Sequence, residues 1–173
     1  MDYPSSLQPA SVERFRIGPG REIDVPKTNP RFRPWRGDRP EDTFGGKALL
    51  DHSGRLAFAE LAILWTFQEA GWDGVWLDSY RRKFRIGYWD QAPLTAIPAA
   101  PTELLARISE RTKAGWDGRW DILCWKNGHV LFAESKRVGR DDIRESQRTW
   151  LAAALDLGLE PTNFLVVEWA LVG

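Results

Sequence analysis

Apolar and polar positions alternate with two periods along the chain, and the points where the period changes divide it into elements. Over residues 55–70 the apolar positions recur at helical spacing, with Leu56, Ile63, Leu64 and Phe67 on one stripe and Gly71 as the stop. Residues 75–80 and 84–89 read as two strands joined through Arg81, Arg82 and Lys83. Pro93, Pro98 and Pro101 mark a loop, after which Thr102 is expected to cap a helix reaching residue 114. A hairpin follows, 120–125 and 130–136, because Asn127-Gly128 between two apolar runs is a strong short-range turn signal. A helix over 142–157, stopped by Gly158, and an apolar strand over 163–171 complete the pattern. The phrase Ala-Gly-Trp-Asp-Gly occurs at 70–74 and again at 114–118. Both copies lie where a helix gives way to a strand, so they read as one local solution used twice rather than a repeat architecture.

Residues 1–50 have neither period. Pro4, Pro9, Pro19, Pro26, Pro30, Pro34 and Pro40 fall there, a density that argues against long helices and central strands. Arg14, Arg16, Arg21, Arg31, Arg33, Arg36 and Arg39 make the segment basic. It is expected to be a Pro/Arg-rich arm, either a strap that touches phosphates or an extended segment along the surface of a domain spanning 51–173. The order of the remaining elements predicts an α/β layer with a mixed sheet.

Composition narrows the function classes. With 43% hydrophobic and 28% charged residues, the chain reads as a soluble globular protein with a substantial core. Its ten Trp residues suit core packing or stacking on bases. Lys plus Arg equals Asp plus Glu at 24 each, which argues against a non-specific nucleic-acid coat and confines any such contact to a local patch. One Cys and two His allow no internal disulfide and no evident zinc set. No basic segment followed by an apolar stretch opens the chain, and the most apolar run, 56–67, is interrupted by Glu60 and too short for a bilayer. A cytoplasmic protein without a membrane partner is the expectation.

Candidate chemistry lies where polar residues occupy core positions. Val130, Phe132, Glu134 and Lys136 share one face of a strand, which begins apolar and ends with a carboxylate beside an ammonium. A solvated strand end would look the same. Asp121, however, begins the partner run Ile122-Leu123-Cys124-Trp125, and the Asn-Gly turn lets it approach Glu134. Two carboxylates about 4 Å apart repel by roughly 4 kcal/mol at an effective dielectric near 20, so one takes a proton or a cation sits between them. Hard oxygens suit Mg²⁺ or Mn²⁺. Gln147 shares the apolar stripe of its helix with Ile143, Trp150, Ala154 and Leu157, as a structural hydrogen-bonder or as part of the site. Glu60 interrupts the earlier stripe, as a partly exposed position or a third acid. Arg81, Arg82, Lys83 and Arg85, interleaved with Tyr80, Phe84, Tyr88 and Trp89, suit nucleic-acid contact or a solvated hairpin tip equally well. Arg140, Arg144 and Arg148 flank the acids and are expected to receive a nucleic-acid backbone.

Asp121, then Glu134-Ser135-Lys136, then Gln147 with Trp150 three residues on, resembles the PD-(D/E)xK nuclease superfamily, and within it the VRR-NUC and Holliday-junction-resolvase-like branches, over about residues 116–170. The resemblance implies a restriction-endonuclease-like core of order αβββαβ, with a mixed sheet of about four strands flanked by helices. It implies a metal-dependent phosphodiesterase acting on nucleic acid, DNA before RNA, with branched or flap substrates and a homodimer among the expectations. Asp121, Glu134, the Ser135 carbonyl and Glu60 would bind Mg²⁺ or Mn²⁺; Lys136 would orient the attacking water and Gln147 support it. Trp120, Ser135 and Arg137 depart from the pattern without removing a reactive group. The rival reading is a catalytically silent nuclease-fold module that binds nucleic acid or a protein partner.

Overall fold

The computed structural model describes residues 1–88 and 97–172. Trp89 and Pro93 lie outside that range. Among the described residues there are ten strands: β1 Ser11–Arg16, β2 Glu22–Thr28, β3 Arg31–Pro34, β4 Leu50–His52, β5 Arg55–Ala57, β6 Asp73–Asp78, β7 Lys83–Arg85, β8 Ile122–Lys126, β9 His129–Arg137 and β10 Phe164–Leu171. Three α-helices accompany them: α1 Ala59–Glu69, α2 Ala99–Thr112 and α3 Glu145–Asp156.

The four-stranded core expected from the resemblance is therefore incorrect. The strands form a single mixed sheet of ten, in the order β5-β4-β3-β10-β9-β8-β6-β7, with β2 also on β10 and β1 on β2, curled into a half-barrel. The extra strands come mainly from the first 57 residues. Proline does not prevent this, because the two prolines inside strands sit at a less-paired position and at a strand end. Pro26 precedes the two residues of β2 that pair with β10, Lys27 and Thr28, so at Pro26 the strand has β1 alone beside it. Pro34 ends β3. One edge of β10 is shared, Val166 and Val167 pairing with β2 and Ala170 and Leu171 with β3. Arg55, expected to open a helix, instead lies in β5, which pairs with β4 across the Ser53-Gly54 turn.

Element ends shift elsewhere by one to four residues, the most at β7, which ends at Arg85. Helix α2 begins at Ala99, and Thr102 sits inside its first turn with its hydroxyl donating to the Pro98 carbonyl at 2.9 Å. The hairpin forms as the Asn-Gly signal predicts, with Asn127 at φ 50° and Gly128 at φ 79°.

Two apolar layers cover the sheet. On one face Leu61, Leu64 and Phe67 of α1 pack with Ile122, Leu131, Ala133 and Val167. On the other, Trp150 and Leu151 of α3 and Leu105 and Ile108 of α2 pack with Leu123, Phe132 and Phe164. Most of the Trp residues serve this packing, and Trp120 and Trp150 are fully buried. No helix among the described residues is long and apolar enough to cross a membrane.

Candidate active site

The β8–β9 register pairs Ile122 with Ala133 and Leu123 with Phe132, and its continuation sets Asp121 opposite Glu134. Both backbones and both carboxylates are joined there. The Ser135 amide donates to Asp121 Oδ2 at 3.0 Å, and the Asp121 amide donates to Glu134 Oε2 at 3.3 Å. Glu134 projects toward α3, where it meets Gln147, and Asp121 joins it from just before the start of β8.

Lys136 follows two residues on, on the same face, with Nζ 3.0 Å from Glu134 Oε1. Helix α3 then delivers Gln147. Its amide nitrogen donates to Glu134 Oε1, and its Oε1 accepts from Lys136 Nζ at 3.2 Å and from the Arg144 backbone at 3.0 Å. Glu134, Lys136 and Gln147 are all buried, and each polar end has a partner. Gly118 lets α3 come this close. At φ 74°, a side chain there would place its Cβ 2.2 Å from the Ser146 carbonyl oxygen, one residue before Gln147.

The electrostatics are those of acids held together against their preference. Burial pushes the Asp121 carboxyl well above the usual carboxylate range, and the Glu134 and Glu60 charges push it further; Lys47 and the Ser135 amide act in the opposite sense. Burial also raises Glu134, partly offset by Lys136 and by the hydrogen bonds from Gln147 and the Asp121 amide. Asp121 retains an edge toward a cavity, and its Oδ1 has no hydrogen-bond partner among the described residues.

Glu60 reaches the same end of the sheet from α1, on the opposite face, and is paired with Lys47. Lys47 was not foreseen in the sequence. It lies at the end of a tight loop in which Phe44, Gly45 and Gly46 have φ of 50°, 82° and 86°. Asp42 Oδ1 accepts the Phe44 amide at 2.7 Å, and the Lys47 amide donates to the Thr43 carbonyl at 2.9 Å. The one available signal was Gly-Gly-Lys in a segment whose other cations are Arg, apart from Lys27. Glu60, Asp78 and Glu134 each have a cation within 4 Å; Asp121 has none among the described residues.

The cations predicted to contact substrate divide. Arg85 is buried and bonded to buried Asp78 at 2.8 Å, a structural role. Arg81 lies flat on Phe44, its guanidinium carbon 4.1 Å from the ring centre, and pairs with Asp42 at 3.3 Å. Arg82 and Lys83 are exposed at the turn. Arg148 pairs with Glu145 at 3.3 Å. Arg140 and Arg144 are exposed and face two cavities that meet at Gly45 and Lys47. The smaller, about 270 Å³, is lined by Glu60, Ser135, Arg137 and Arg140. The larger, about 530 Å³, is lined by Trp76, Asp78, Tyr80, Arg119, Asp121 and Arg144. Arg119, too, escaped sequence reasoning, although it stands two residues before Asp121.

Comparison with protein-family models, with curated proteins and with solved structures finds no match to the chain. What the site can hold must therefore be judged from its donors. Among the described residues no three His, Cys, Asp or Glu side chains converge as a ready ligand set. Asp121 and Glu134 do converge, with Asp121 Oδ1 free toward the larger cavity. One or two carboxylates, completed by carbonyl, water and phosphate oxygens, are the usual environment of Mg²⁺, so this donor set fits a hard divalent cation.

Proposed function

We propose that this chain is a divalent-metal-dependent nuclease that hydrolyses phosphodiester bonds in nucleic acid, DNA before RNA. The observation that carries the reading is the convergence of Asp121, Glu134, Lys136 and Gln147 at one end of the β8–β9 hairpin. A structural ion pair between Glu134 and Lys136 would not require Asp121, a second acid with no cation within 4 Å among the described residues. The resemblance of Asp121, Glu134-Ser135-Lys136 and Gln147 to the PD-(D/E)xK pattern supports the same assignment.

In this reading Asp121 and Glu134, with the Ser135 carbonyl, hold Mg²⁺ or Mn²⁺. A cation bound there supplies Lewis acidity toward a phosphoryl oxygen and lowers the pKa of a water. Lys136, already desolvated and aimed by Glu134 and Gln147, orients the attacking water and offsets charge developing on the phosphate. Gln147 is a positioning residue, since it acts through Glu134 and Lys136. Glu60 contributes negative charge from the other face and holds Lys47 beside the site.

The test is cleavage of single-stranded, duplex, flap and four-way DNA with Mg²⁺ or Mn²⁺, comparing wild type, Lys136→Ala and a chelator control. Loss of one preorganised donor to developing charge reduces rate by about 100-fold to 1,000-fold, and Lys136→Ala is expected to fall in that range. Cleavage untouched by the substitution would overturn the assignment. No cleavage of any substrate would favour a silent nucleic-acid-binding module.

A further inference from the structure

The cavity of about 530 Å³ beside Asp121 contains groups that the hydrolytic step does not use. Its lining includes Tyr80, which at 91% exposure is the one aromatic side chain among the described residues that lies almost wholly in solvent. The turn between β6 and β7 presents it, with Arg82 at φ 53°. Arg119 also lines it, half-buried and flat on Trp116 at 4.1 Å. Its guanidinium donates to the Gly115 carbonyl at 3.1 Å and the Ser109 hydroxyl at 2.9 Å, and it has no carboxylate partner among the described residues. The nearby cations are already committed, Arg81 to Asp42 and Asp78 and Lys47 to Glu60. Arg144, exposed on the same wall, also has no carboxylate partner among the described residues.

A half-buried guanidinium without a counter-charge is costly unless an anion completes it. An exposed aromatic ring at the rim of a cationic cleft suits a flat, uncharged partner. A nucleotide carries both an anionic phosphate and a flat, uncharged base. Bases in a duplex have their faces covered by neighbours, so only an unpaired nucleotide could use Tyr80.

We infer that this cavity receives an unpaired nucleotide next to the phosphate at Asp121, with Tyr80 stacking its base and Arg119 and Arg144 binding the flanking phosphates. The inference rests on the nuclease reading for the identity of that phosphate and adds the substrate class: single strands, flaps or frayed ends rather than intact duplex.

The experiment is fluorescence anisotropy in EDTA, so that binding is read without cleavage. The probes are a labelled short oligothymidylate, an oligouridylate of equal length and a blunt duplex. Wild type should bind at least one of the single strands about 10-fold more tightly than the duplex. Tyr80→Ala should weaken single-strand binding about 10-fold, as expected for loss of one stacked base, and leave duplex binding within about two-fold. Because the Tyr80 ring is in solvent, this variant does not depend on refolding. Arg119→Met, checked for an unchanged melting temperature, should reduce the salt dependence of single-strand binding by about one ion. Duplex bound as tightly as either single strand, or single-strand binding indifferent to Tyr80→Ala, would overturn the inference. Absence of metal-dependent cleavage alongside intact single-strand preference would sink the nuclease reading alone, and the reverse pattern would sink this inference alone.

Discussion

Asp121 is the site's unpaired acid, so replacing it by Asn should make the metal-free protein more stable while abolishing cleavage. Asn keeps an oxygen for the Ser135 amide, so the 3.0 Å hydrogen bond survives and only the charge is removed. Two unit charges at about 4 Å cost roughly 4 kcal/mol at an effective dielectric near 20. Lys136 on Glu134 and Lys47 near Asp121 offset part of that repulsion. A net gain of about 1–2 kcal/mol remains, worth roughly 3–6 °C in melting temperature for a chain of this size. The sign follows from the raised folded-state pKa. The folded protein binds the Asp121 proton more tightly than the unfolded chain, so the ionised residue destabilises the fold. That penalty begins as pH rises through the unfolded value of 3.8, reaches its full size above the raised folded value, and disappears in acid. The gain from Asp121→Asn should therefore grow as pH rises and vanish below about pH 4. Thermal melts in EDTA across pH measure it, and Mn²⁺ should raise the melting temperature of wild type but not of the variant. A variant that melts lower than wild type at neutral pH would refute the reasoning, because Asp121 would then be a structural acid.

Further outcomes follow from the same geometry. Since the raised Asp121 and Glu134 carboxyls must lose protons to accept a cation, Mn²⁺ affinity by calorimetry should fall as pH is lowered, with proton release on binding. Arg85→Met should cost up to about 3–5 kcal/mol in urea unfolding, since buried Asp78 then keeps only the Arg81 guanidinium, 3.9 Å away, as a cation among the described residues. Lys47→Met should cost less, about 1–3 kcal/mol, because the Lys47 side chain is 35% exposed. Gly118→Ala forces a Cβ against the Ser146 carbonyl oxygen and disfavours φ 74°; a stability loss of about 2 kcal/mol and a lower cleavage rate through displaced Gln147 are expected.

The parts of the site legible in the sequence are those governed by local rules. An Asn-Gly turn fixes hairpin register, register sets Asp121 opposite Glu134, and the two-residue strand period adds Lys136. Gln147 was visible as an amide on an apolar helical stripe. What was not legible depends on distant pairing. Nothing near Arg85 in the sequence shows that Asp78, across a turn, would draw it inside, so it was grouped with the exposed Arg82 and Lys83. The first 50 residues read as an arm because proline density is a rule about hydrogen bonds, whereas Pro26 has β1 alone beside it and Pro34 ends its strand. Three-residue strands such as β4 and β5 are too short to show a period at all.

Lys47 joins these two levels. The loop that carries it contains Phe44 at φ 50°, a conformation costing about 1–2 kcal/mol for a residue with a side chain. Phe44 is held there by packing against Phe58 and Trp76, with Arg81 laid over its ring. Strain of this kind persists where the surroundings enforce it. Here it sets one cation from the N-terminal segment between the cavity of Glu60 and the cavity of Tyr80 and Arg119. A segment that served only to extend the sheet could end its turn with relaxed backbone. The cost is understandable if Lys47 balances the acids when no cation is bound and turns toward phosphate when one is. The stability loss of Lys47→Met in EDTA should then shrink when Mn²⁺ is added, and a loss equal in both conditions would confine Lys47 to a structural salt bridge with Glu60.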